Sequence, residues 1–172
     1  MKKLNIRVIL FQLIGMLFLI NGILQLKLYT VADKFVCATN HSQGMKSECW
    51  NKLFPSKTDF LNFWPSIYIW IFIGFLIGIV QISFLNWRNK LSPLNTLISA
   101  IIMYLLIRVK FFRKGILPQL FNSGEAVFSD DFELQCLIGG LFFTFIGFAI
   151  LWVGITPNLF KLKKNKSNQK FR

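Results

Sequence analysis

The sequence predicts an all-α membrane protein of four transmembrane helices, with both termini on the cytoplasmic side and two outer loops. Three observations predict it. Of the 172 residues, 54% are hydrophobic, 20 are Phe, and the mean hydropathy is +0.53. These residues fall in long runs instead of recurring with the period of 2 or 3.6 that a soluble domain uses. No Asp or Glu lies within any of the runs. The whole chain, 1–172, reads as one four-helix unit with a basic tail at 161–172.

The first run, Val8–Leu26, holds nineteen residues without a charge, and its span is placed at 8–27. At 1.5 Å per residue this is enough for one crossing. Lys2 and Lys3 ahead of it raise the question of a signal peptide. The apolar stretch exceeds the usual h-region of roughly 7–15 residues, and no small-residue cleavage site follows closely, so a retained helix is expected. The second span, 63–86, begins at Phe63-Trp64-Pro65, where Pro65 suits a first helical turn. Trp64 and Tyr68 at one end and Trp87 at the other are expected as interfacial anchors.

The third span, 94–112, follows Ser92-Pro93, an N-cap with a first-turn proline. Its charge-free part ends at Ile107 after fourteen residues, which is short for a crossing. Arg108 and Lys110 must then reach the far interface or face protein and water inside a bundle. A re-entrant or interfacial helix is the competing reading. The fourth span, 134–155, is closed by Thr156-Pro157 and preceded by Asp130, Asp131 and Glu133, where acids favour the helix dipole. Ser129 is the expected N-cap.

Orientation follows from charge. With the N-terminus inside, the inner segments hold eleven basic residues and no acid, and the outer segments hold nine basic residues and all seven acids. The positive-inside rule favours this sense by a small margin. The expected location is the inner membrane of a bacterium, as a multi-pass protein. The net charge of +13 is then a matter of topology and lipid headgroups, and no nucleic acid is expected as a partner.

In this topology Val36–Trp50 is part of an outer loop, Lys27–Asn62, with Cys37, His41 and Cys49. A disulfide between Cys37 and Cys49 is expected in that oxidising compartment. Closing a loop of about a dozen residues contributes on the order of 3 kcal/mol in the chain-entropy view. A redox pair would more often show C-x-x-C spacing, and Cys136 is the one thiol that could relay electrons to such a pair. As metal ligands, C-x3-H-x7-C is too sparse for a structural zinc site. No metal and no cofactor are expected.

Small residues mark helix faces. Gly74 and Gly78 form a G-x-x-x-G step, and Gly140, Gly147 and Gly154 recur every seven residues with Thr144 between the first two. Gly15 and Gly22 repeat this spacing on the first helix. Such stripes let backbones approach closely, either within the bundle or at a homo-oligomer seam. Polar residues inside the runs are few. Gln12, Asn21, Gln25, Gln81, Ser99 and Tyr104 either bond across helices or line a cavity. Asn21, Gln25 and Gln81, with Arg108 and Lys110 at the mouth, are the candidate lining of a pore or vestibule.

The chain has no G-x-S-x-G, P-loop, H-E-x-x-H or C-x-x-C, and no enzymatic activity is expected. The expected role is an oligomeric membrane subunit, a sensor or anchor whose basic loop and tail contact a cytoplasmic protein. A small channel and a thiol oxidoreductase are the alternatives. The four-crossing layout, short length and Lys/Asn/Phe/Ile-rich composition resemble small bacterial membrane proteins of conflict systems. The transmembrane subunit of Kiwa-type phage defence and the immunity proteins against pore-forming colicins have this layout. The first resemblance implies a sensor of envelope disturbance with a soluble partner, and the second implies a blocker of a toxin within the bilayer. The likeness is one of layout, so no residue's role is transferred.

Overall fold

Asn5 starts the first helix by accepting a hydrogen bond from the Val8 amide, and α1 runs Ile6–Tyr29. The computed structural model describes residues 5–44, 49–109, 115, 119 and 131–155. After α1 come α2 (Ala32–Ser42), α3 (Cys49–Leu53), α4 (Lys57–Arg88), α5 (Pro93–Arg108) and α6 (Phe132–Ile155). Three of these, α1, α4 and α6, are long and apolar enough to cross a membrane. Their exposed surface agrees with that. Val80 is 68% exposed, Phe145 74% and Leu141 58%, a pattern suited to lipid and costly in water.

α1 is the hub of the bundle. Met16, Leu19 and Ile20 are fully buried, and α4, α5 and α6 all pack against it. The contacts order the helix ends. At one end the Asn5 amide donates to Asn95 Oδ1, and the Arg88 guanidinium lies 5.2 Å over the Trp152 ring. At the other end Lys27 lies over Trp70, and Phe35 of α2 stacks on Phe132 at 5.2 Å. The first is called the basic end here and the second the cap end. α4 and α6 therefore both run opposite to α1, and α5 runs parallel to it.

Several boundaries differ from expectation. The helix expected over 63–86 begins six residues earlier, at Lys57, because Ser56 and Asp59 form a capping box. The Ser56 hydroxyl accepts from the Asp59 amide and the Asp59 carboxylate accepts from the Ser56 amide, each at 3.2 Å. Pro65 is thus inside the helix and not in its first turn. At 32 residues α4 is about 48 Å long and stands well clear of a hydrocarbon layer of about 30 Å. The loop expected over Lys27–Asn62 holds two short helices and the start of α4.

The third segment is shorter than expected. α5 stops at Arg108, and Val109 turns to extended geometry with ψ 129°. Its 16 residues span about 24 Å. A helix continued to 112 would spread the cations of this segment over several faces in hydrocarbon, which the chain avoids by ending it. Ser99 bonds Gln12, so Arg108 is roughly level with Asn21 on the parallel α1. α1 then continues for eight more residues, about 12 Å, to Tyr29. At the head of α6, Asp131 takes the capping role expected of Ser129, its Oδ1 accepting from the Glu133 amide at 2.9 Å. Ser129 and Asp130 lie outside the described residues.

Candidate functional site: a polar ladder below a stapled cap

Gly74 and Gly78 of α4 and Gly140, Gly147 and Gly154 of α6 turn towards α1. A side chain on Gly74 would meet the Ile20 Cα at 3.0 Å, and one on Gly78 would meet Met16. Gly140 adjoins Leu26, a Cβ on Gly147 would meet the Leu19 nitrogen at 2.7 Å, and Gly154 adjoins Phe11. On the α1 side, Gly15 faces Leu151 and Gly22 faces Thr144. These small-residue faces are occupied within the chain. Backbones this close exchange many weak dispersion contacts, which is how helices associate in lipid.

α1 also carries the polar side chains. Near the basic end Gln12 is fully buried, yet it is satisfied. Its Nε2 donates to Asn86 Oδ1 at 3.0 Å and its Oε1 accepts from the Ser99 hydroxyl at 2.7 Å. Asn86 in turn donates to Thr96 Oγ1 at 2.6 Å. One side chain on each of α1 and α4 and two on α5 thus form a closed network. Sequence reading isolated Gln12 and Ser99 but missed Asn86, Thr96 and Asn95. The available signal was Asn95 and Ser99, four residues apart on one face of α5.

Two turns higher the ladder is unsatisfied. Asn21 and Gln25 are each 1% exposed, and neither carboxamide has a hydrogen-bond partner among the described residues. The Thr144 hydroxyl, beside Gly22, is in the same state. An unpaired amide in an apolar medium costs several kcal/mol, so these groups stand ready for water or a ligand. Gln81 is elsewhere, in a groove between α4 and α6 whose lining includes neither Asn21 nor Gln25. Arg108 ends α5 exposed, with its guanidinium 5.7 Å over the Tyr104 ring. Lys110 and the tail at 161–172 lie outside the described residues.

The cap is built on the disulfide. Cys37 of α2 and Cys49 of α3 are joined, with 6.1 Å between their Cα atoms. The bond uses both thiols that a Cys–His–Cys metal site would need. His41 stacks on Trp50 at 3.6 Å, and Phe54 and Phe60 extend the cluster. Beneath it Cys37, Ala38 and Phe54 share one apolar cluster with Leu28 of α1, Phe63 and Ile67 of α4, and Cys136 of α6. Cys136 is a free thiol with no solvent exposure, the environment of a small hydrophobe and not of a reactive thiolate. At the rim a polar cleft of about 430 Å³ is lined by Tyr29, Thr30, Asp33, Lys34, Leu53 and Glu133.

No family model, curated protein or solved structure matches this chain. Aromatic packing holds the cap in addition to the disulfide, so Cys37→Ser with Cys49→Ser should cost the cap about 2 kcal/mol. Limited proteolysis should then cut between α2 and α3 while the membrane helices stay protected. Equal protease resistance in both proteins would show that the staple contributes nothing.

Proposed function

We propose that the protein is a non-enzymatic subunit of the bacterial inner membrane that senses events outside and anchors a cytoplasmic partner. Its reading as a four-crossing chain with both termini inside is part of this proposal. The observation that carries it is the shared apolar cluster under the cap, in which α2 and α3 pack directly on the ends of α1, α4 and α6. A ligand or distortion at the polar cleft on the rim would move three long helices together, because packed cores respond as units and not by local yielding. The basic end and tail, free of acids, suit an acidic soluble partner. Phage defence is the setting that the layout suggests.

The test is mild detergent extraction of tagged protein from its host, mass determination, and identification of what co-purifies. The expected result is a defined assembly with a soluble protein, lost when the lysines of 161–172 are changed to glutamine. A chain that always emerges alone would oppose the proposal and favour a toxin-blocking role. The second reading, a small channel, draws on the unsatisfied Asn21, Gln25 and Thr144. It predicts ion flux in liposomes that falls with Arg108→Gln, and no flux at any potential would remove it.

A further inference from the structure

The groove between α4 and α6 has a polar terminus that the proposed function does not use. Its walls are Leu76, Ile77, Val80, Gln81, Phe84 and Phe148, and it encloses about 510 Å³ on the outer surface of the bundle. One helical turn further towards the basic end, Arg88 follows Phe84 and Trp152 follows Phe148, and these two stack at 5.2 Å. The groove thus ends in a guanidinium held against an indole ring. The sequence has no acidic residue between Asp59 and Glu125 and none after Glu133, so α4 beyond its first turn, α5 and the far half of α6 carry no acidic side chain. α1 has none either, the first acid of the chain being Asp33. Among the described residues no carboxylate lies on these helix segments near the Arg88 guanidinium, which is exposed and suits an anion from outside the chain.

We propose that this groove binds one acidic glycerophospholipid. An acyl chain lies along Ile77, Val80, Phe84 and Phe148, and the phosphate sits on Arg88. The chemistry of both ends fits. Saturated hydrocarbon suits walls that are almost wholly apolar, and a fixed guanidinium at headgroup depth takes a phosphate with paired hydrogen bonds. Trp152 orients the guanidinium by stacking on it, and an indole is at home at the headgroup level. A second copy of this chain is the competing occupant, since Gln81 has an unpaired carbonyl oxygen in the groove. A two-fold contact there would bring a second Arg88 to the same end with no acid to offset it, and charge decides against that contact. The inference is independent of the sensor reading and holds for any role of the bundle.

Native mass spectrometry of the full-length protein in mild detergent, titrated with phosphatidylglycerol or phosphatidylcholine of the same acyl chains, tests it. One phosphatidylglycerol per chain should be retained about fivefold better than phosphatidylcholine, the ratio expected of one cation at an anionic headgroup. Arg88→Gln should remove that preference with helical content unchanged, and Arg88→Lys should restore most of it. Val80→Trp, which fills the groove from its exposed side, should lower retention of both lipids. Equal retention of the two lipids by wild type overturns the proposal, as does a preference that survives Arg88→Gln. A lipid-free dimer that Val80→Trp disrupts would assign the groove to a second copy instead.

Discussion

Gly22→Ala should loosen α6 from the bundle at a cost of about 3 kcal/mol, the upper part of the range for overpacking a tight core. The added methyl would collide with the Thr144 backbone nitrogen and sit 2.8 Å from the Gly140 carbonyl oxygen. Both neighbours are backbone, so no rotamer change relieves the clash and the two helices must separate. Moving them apart also loses the contacts of Gly15 and Gly147, which lie on the same seam. Gly22→Leu should prevent α6 from docking at all. Gly78→Ala is the control, because its methyl meets Met16 Cγ at 3.1 Å and a methionine can turn aside. Melting of detergent-solubilised protein, followed by circular dichroism, should rank wild type and Gly78→Ala together and Gly22→Ala far below. Equal melting of the two alanine variants would mean that α1 and α6 are not joined through this seam.

The polar ladder should answer to substitution in opposite directions along its length. Gln12→Leu leaves Asn86 Oδ1 and the Ser99 hydroxyl without their partner and should destabilise by about 2 kcal/mol. Asn21→Leu together with Gln25→Leu removes two buried carboxamides that have no partner to lose, and should stabilise by about 3 kcal/mol. Unfolding in mixed detergent micelles, where sodium dodecyl sulfate fraction replaces denaturant, reads both signs on one scale. A loss of stability in the double variant would show that water or a ligand already satisfies the pair. If stability rises while activity in the host disappears, Asn21 and Gln25 are held unsatisfied for function, as polar groups at working sites often are.

The two ends of the ladder look alike in the sequence, since each is an amide in an apolar run. What separates them is the depth at which α5 ends. Its polar face reaches Gln12 through Ser99, and the helix stops at Arg108 beside the level of Asn21. A short charge-free run was legible from composition, but where α5 sits along α1 is a long-range property with no local mark. The early start of α4 was legible, because Ser56 and Asp59 have the capping-box spacing. Pro65 obscured it, since proline is common in first turns and here lies nine residues inside the helix.

By itself the sequence determined the membrane class, the helical fold, the glycine faces and the Cys37–Cys49 bond. Each of these rests on a local or nearly local rule: hydrocarbon thickness sets run length, small side chains set approach distance, and a dozen residues set the reach of a disulfide. Tertiary structure alone decided that α1 is the hub, that every glycine stripe closes on it, and which amides find partners. Helices in lipid are matched by shape over their whole length, so one stripe suits an inner seam or an outer one equally until all faces compete for α1. That competition also leaves the α4–α6 groove open, with Arg88 at its end.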